Sequence, residues 1–213
     1  MRPQRVAVLL GLGIAASPTV TALINQNGPF ALHIQGQAKN SSIDGYVHYV
    51  DLGPIYTLQP LQYEPMPSPP AGNVTYEFYF NYTGTIQTNE HEVGYVVTDP
   101  TYSNPVDPGA IFGKAMSLHY NPDSNVGFGV FGAGLATFLG FDSDNKTFIS
   151  LDFTDSAFVS NERPILGERV NLYNWAVCWQ FFDNIYIQAL SWITYGPSHN
   201  PTCERVDLIS VAI

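Results

Sequence analysis

Hydrophobic residues alternate with polar ones in short runs along most of this chain, and glycine, proline, asparagine, aspartate and serine punctuate the runs. A period of two marks half-buried β-strands, and turn residues at short intervals point to an antiparallel β-sandwich or closed β-barrel. Helix signals are weak, because aromatic and β-branched residues dominate and charged helix formers are scarce. The pattern predicts strands near 30–35, 46–50, 75–82, 92–97, 115–120, 127–131, 137–141, 148–153, 170–182, 185–194 and 205–212. Two stretches hold too much proline for a sheet interior. One carries Pro60, Pro65, Pro67, Pro69 and Pro70, the other Pro100, Pro105 and Pro108. Both are expected as surface loops, since proline lacks the N–H that a ladder needs. The first is read as a long loop within one domain, because the segment before it is too short to bury a core.

The clearest local feature is a hairpin. Asp183-Asn184 separates two apolar runs, and both residues tolerate the positive φ of a two-residue turn. That turn sets Trp175 opposite Trp192, Val177 opposite Leu190 and Phe181 opposite Tyr186. Alternation puts Tyr173, Trp175, Val177, Trp179 and Phe181 on one side and Leu172, Ala176 and Cys178 on the other. Both sides are mostly apolar, as for a central strand pair.

The N-terminus changes the picture from a β-rich domain to a β-rich domain made for export. Arg2 and Arg5, an uncharged apolar run over 6–16 and the small residues of Val20-Thr21-Ala22 are the three parts of a signal peptide. Cleavage is expected after Ala22, leaving residues 23–213 as a single domain. The apolar run is far shorter than the roughly 20 residues that span a bilayer, and no later segment is long and apolar enough to do so. Loss of Arg2 and Arg5 leaves 6 basic residues against 18 acidic ones, an excess of 12 negative charges. Such a charge repels phosphate backbones and anionic lipid, so neither nucleic acid nor a membrane surface is expected as a partner.

Four sequons, at Asn40, Asn73, Asn81 and Asn145, fit a secreted glycoprotein, and each occupied one must face solvent. Asn200-Pro201-Thr202 is excluded by its proline. The two cysteines, Cys178 and Cys203, are most simply one disulfide in an oxidising compartment; two redox thiols would call for a closer arrangement such as C-x-x-C.

Three blocks of the C-terminal half carry a resemblance. They are Ser117-Leu118-His119-Tyr120-Asn121-Pro122-Asp123-Ser124-Asn125-Val126, then Tyr173-Asn174-Trp175-Ala176-Val177-Cys178, then Leu190-Ser191-Trp192 with Gly196-Pro197 and Asn200-Pro201-Thr202-Cys203. Together they resemble a family of small secreted proteins of filamentous fungi with no assigned activity. The resemblance extends over about residues 30–213, and this chain lacks the further N-terminal cysteines that such proteins carry. It implies a fungal extracellular protein with a β-rich fold and transfers no catalytic residue.

Gly127-x-Gly129-x-x-Gly132 matches the dinucleotide-binding pattern, but apolar β-like sequence follows it where that motif needs a helix, so close-packed strand is expected. Glu90-His91-Glu92 cannot converge on a metal from a strand and is read as a solvated loop. Asp142-Ser143-Asp144-Asn145-Lys146 lacks the glycine and glutamate of a calcium loop and is read as a hairpin turn. Asp152 with Asp155, or Glu90 with Glu92, are pairs of the kind glycoside cleavage uses, without any sign of the geometry it needs. No metal, cofactor or catalytic residue is therefore expected, and the chain points away from an enzyme.

The aromatic set Tyr173, Trp175, Trp179, Phe181, Tyr186 and Trp192 is the best candidate binding face, with burial as core the favoured reading of it. The function expected is a non-catalytic extracellular protein contacting a cell wall, a host or another surface. The alternatives are a carbohydrate-binding β-sandwich and, third, an extracellular hydrolase.

Overall fold

The computed structural model describes residues 24–52, 58–88, 91–103, 112–132, 136–152, 159–162 and 169–213. The proposed leader, residues 1–22, lies outside them. The described residues form β1 (Asn25–Gly36), β2 (Asp44–Tyr49), β3 (Leu58–Glu64), β4 (Phe78–Thr88), β5 (His91–Ser103), β6 (Phe112–Tyr120), β7 (Val126–Gly132), β8 (Leu139–Phe141), β9 (Thr147–Leu151), β10 (Val170–Leu172), β11 (Trp175–Phe182), β12 (Ile185–Ile193) and β13 (Glu204–Ala212). The remaining element is a single 3-10 turn, Val74–Tyr76. One of its first N–H groups is met by the Asn73 side chain, which accepts from the Thr75 backbone at 3.1 Å. No described helix is long and apolar enough to cross a membrane.

Every strand pairing is antiparallel, and the ladders close on themselves. A circuit runs β1–β13–β11–β12–β7–β6–β5–β4 and back to β1, while β2 and β3 bridge β1 to β7 and β12. The fold is thus all-β and barrel-like. β8, β9 and β10 continue the sheet from β5. The β8–β9 turn folds back onto β13, where Lys146 bridges to Ile209 and its ammonium lies 2.7 Å from the Asp207 carboxylate. One apolar cluster fills the interior, with Leu32 and Ile34 of β1, Phe78 of β4, Phe131 of β7, Trp175 of β11 and Leu208 of β13 among its members. Smaller clusters cover the outside of β11 and β12. One holds Val126, Ala176, Cys178 and Ile193, the other Phe128, Val130, Ile187 and Ala189.

Apolar cover on both faces is what makes β11 and β12 central. Asp183 and Asn184 sit at φ 47° and 66° and join them in the expected register, with Trp175 opposite Trp192 and Phe181 opposite Tyr186. The Gly127–Gly132 motif is strand β7, and it is packed closely: a Cβ on Gly129 would come within 2.7 Å of Leu61. The Asp142–Lys146 segment is the β8–β9 turn, its Asp142 carboxylate accepting from the Asp144 and Lys146 backbone at 2.9 Å each.

Three expectations need correction. Pro60 is a buried residue of strand β3, opposite Val130, and its carbonyl accepts from the Val50 N–H at 2.9 Å. The site suits proline because β3 exchanges one partner for another around it, from β7 at Leu58–Pro60 to β12 at Gln62. Pro65, Pro67, Pro69 and Pro70 do lie in a loop. Pro100 lies within β5, where the register with β6 shifts between Thr98 and Ser103, and such an irregularity tolerates a missing donor. Pro105 and Pro108 lie outside the described residues. Lastly, His91 and Glu92 are half-buried positions of β5 rather than a solvated loop, opposite Thr88 and Gln87; Glu90 lies outside the described residues.

Candidate functional site

The aromatic hairpin divides along its length. Trp175 is 1% exposed and Trp192 is buried with it, both in the main core beside Val177 and Leu190. Their rings meet edge to face, centroids 4.9 Å apart at 76°, and the Trp175 indole N–H donates to the Thr147 carbonyl at 2.8 Å. These two tryptophans are core and cannot be part of a binding face. Tyr173 is also separate. It precedes β11 at the opposite end, edge-on to Phe148, where burial and the Asp142 carboxylate push its phenol up to about 12.

The outer half of the same face is open. Trp179, Phe181 and Tyr186 are 49%, 50% and 74% exposed, and the Phe181 and Tyr186 rings lie 5.1 Å apart. Trp179 faces Gln188 across the strand pair. The hairpin therefore enters the core with one half of its aromatic face and carries the other half into solvent. Alternation alone put all these rings on one side; how far the core reached along that side was not encoded in it.

Cys178 and Cys203 form a disulfide, their Cα atoms 4.2 Å apart. The bridge sits where the β11–β13 ladder stops, just past the pair Val177–Glu204. There Thr202 accepts from the Trp179 N–H at 3.0 Å through its hydroxyl, and the Asn200 amide donates to the Trp179 carbonyl at 2.9 Å. Asn200 in turn accepts from the Thr202 N–H and hydroxyl at 3.0 and 2.7 Å. Asn125 organises the neighbouring turn. Its amide donates to the Tyr195 and Pro197 carbonyls at 2.7 and 2.8 Å and accepts from the His199 N–H at 2.9 Å. The three sequence blocks that carry the resemblance thus meet at one place, held by side-chain-to-backbone hydrogen bonds.

Of the four sequons, Asn40, Asn73 and Asn145 are exposed on turns. Asn81 is not available. It lies in β4 between β1 and β5, is 1% exposed, and accepts from Gln26 at 2.7 Å. A glycan on that amide would displace its neighbours, so Asn81 is removed from the candidates.

A concavity of about 320 Å3 opens at one end of the barrel, lined in part by Tyr49, Asp51, Gln59, Glu77, Thr98 and Lys114. The amide of the buried Gln59 joins two of these, accepting from Lys114 and donating to Asp51 at 3.4 Å each. Nearby a groove of about 510 Å3 is lined by Tyr46, Pro69, Pro70, Tyr76 and Ile213 among others. Behind it the Tyr76 hydroxyl donates to Glu64, and His48 stacks on Tyr76 with its ring nitrogen 3.6 Å from Glu64. Burial lowers the His48 pKa against the opposing pull of Glu64.

Asp152 accepts from Nε and one terminal nitrogen of the Arg169 guanidinium, and Asp155 and Glu90 lie outside the described residues. Among the described residues no three histidine, cysteine or carboxylate groups are placed to hold a metal. No family model, curated protein or solved structure matches this chain.

Proposed function

We propose that this chain is a secreted, non-catalytic fungal protein that attaches to an extracellular surface through the outer half of its aromatic hairpin. The observation that carries the reading is the exposure of Trp179, Phe181 and Tyr186 together on one face, where burial was available two residues away and was not used. Flat apolar rings of this kind stack on the apolar faces of sugar rings. Without its leader the chain carries 6 basic against 18 acidic residues and is repelled by anionic surfaces, so a neutral wall polysaccharide is the favoured target over a lipid surface. The leader over residues 1–22, the sequons at Asn40, Asn73 and Asn145 and the disulfide support an extracellular location.

Co-sedimentation with insoluble chitin, β-glucan, cellulose and mannan, and with intact fungal and host cells, tests this. Retention on a polysaccharide that is lost in Trp179→Ala/Tyr186→Ala, at unchanged melting temperature, supports it. Binding to host cells alone would redirect the reading to a host protein. Absence of any retention, or full retention by the double variant, overturns it.

A further inference from the structure

Asn73 is both a sequon asparagine and an exposed member of the lining of the groove of about 510 Å3. Its place is fixed from both sides. Before it, Pro70-Ala71-Gly72-Asn73 is a tight turn, closed by the Asn73 N–H on the Pro70 carbonyl at 3.1 Å, with Gly72 at the φ of 71° that such a turn requires. After it, the Asn73 side chain caps the 3-10 turn, its Oδ1 accepting from the Thr75 backbone at 3.1 Å and the Thr75 hydroxyl at 2.9 Å. Nδ2, the atom that a glycan joins, makes no hydrogen bond among the described residues.

Much of the remaining lining is apolar: Pro29, Pro70, the rings of Tyr46 and Tyr76, and Ile213, which is 55% exposed. Both rings are held. Tyr76 donates its hydroxyl to Glu64 and stacks on His48, and the Tyr46 ring lies 5.0 Å from that of His33. Among the described lining side chains only Glu77 is charged. Every one of these residues sits within a described run of chain, 24–52, 58–88 or 169–213.

We infer that this groove seats the first N-acetylglucosamine of a glycan on Asn73, so that the sugar completes the fold as well as coating it. The inference rests on the extracellular reading and goes beyond it by giving one sequon a structural task. In attachment the Nδ2–C1 bond forms as the C1–O bond to a polyprenyl pyrophosphate carrier breaks. The pyrophosphate leaves with the electron pair, and Nδ2 gives up one proton to a base. The amide keeps its Oδ1, and with it both bonds to Thr75. The sugar brings C–H faces and an acetyl methyl that suit tyrosine and proline, and hydroxyls that can donate to Glu77. The groove falls within the roughly 300–1,000 Å3 of small-molecule sites. A free monosaccharide binds such a surface weakly, whereas a short tether holds it there at an effective concentration of about millimolar or more. Asn40 and Asn145, by contrast, line neither concavity.

The test uses the mature chain with Asn40→Gln and Asn145→Asp, which leaves Asn73 as the accessible acceptor; aspartate tolerates the φ of 60° at position 145. Protein secreted from a glycosylating host is trimmed by endoglycosidase to a single N-acetylglucosamine and compared with the same chain from the bacterial periplasm, where no sugar is added. Nuclear Overhauser contacts are expected from the acetyl methyl to the Tyr46 and Tyr76 rings and the Ile213 side chain. The sugar-bearing chain should melt about 2–4 °C higher, and Ile213→Asp should remove most of that gain. A chain unglycosylated at Asn73, a sugar without contacts to the groove, or equal melting of the two samples would each overturn the inference. Trp179→Ala/Tyr186→Ala should leave the sugar's contacts unaltered, and the sugar-free chain should keep its retention on polysaccharide, which separates failure here from failure of the hairpin reading.

Discussion

Trp175 and Trp179 point from the same face of one strand, four residues apart, yet Trp175 is 1% exposed and Trp179 is 49% exposed. The boundary of the core passes between them, at Val177, which is itself buried. Truncation should therefore act in opposite ways at the two positions. Trp175→Ala leaves a large cavity and the Thr147 carbonyl without its indole partner, and a loss of about 3–5 kcal/mol is expected in denaturant unfolding. Trp179→Ala should cost less than about 1 kcal/mol. Equal losses at both would mean that the outer half is also packed.

The disulfide should matter to stability as well as to topology. It closes a loop of 25 residues, for which the chain-entropy relation gives about 3 kcal/mol. Non-reducing peptide mapping should find Cys178 and Cys203 in one linked species, and Cys178→Ala/Cys203→Ala should unfold at lower denaturant by that amount. An unchanged midpoint would show that the hydrogen bonds of Asn200 and Thr202 hold the last strand without it.

Site occupancy in protein secreted from a glycosylating host separates the sequons by burial. Glycopeptide mass spectrometry should find sugar at Asn40, Asn73 and Asn145 in varying amounts and none at Asn81. The same sample should begin at Leu23. Appreciable occupancy at Asn81 in folded protein would contradict its place inside the β1–β4–β5 sheet.

His48 gives the fold a dependence on pH with a definite sign. Burial makes its imidazole less basic in the folded protein than the value of about 6.5 in an unfolded chain, despite the nearby Glu64. The unfolded chain thus takes up the proton first, and stability falls as pH drops below about 6.5. Unfolding midpoints measured from pH 7.5 to 5.5 should fall more steeply for the wild type than for His48→Gln. Parallel curves would show that Glu64 cancels the effect of burial.

Much of this architecture was written locally. The hairpin register follows from Asp183-Asn184 alone, since a two-residue turn with both φ values positive leaves the flanking residues one way to pair. What was missed depended on neighbours distant in sequence. Strand β3 hid behind Pro60, tolerated only because the strand trades partners there. Asn81 carries a valid sequon, but the motif says nothing of the strands on either side. The concavity lined by Tyr49, Gln59, Thr98 and Lys114 is the plainest case: Val-x-Tyr, Gln-x-Leu, Val-x-Thr and Lys-x-Met each read as an ordinary strand end. Only the register of four strands brings their polar members to one place.

The contacts of Asn200 and Thr202 bear on how this protein behaves in a crowd. N-terminal to Glu204 the last strand leaves β11, and from Trp179 onward a bare row of backbone donors and acceptors would face solvent beside three exposed aromatic rings. Such an edge is a template for strand addition by another molecule and a route to aggregation. Two side chains occupy it instead, one on the Trp179 N–H and one on its carbonyl. The hairpin can then be adhesive through its face while its edge at Trp179 is already occupied from within the chain.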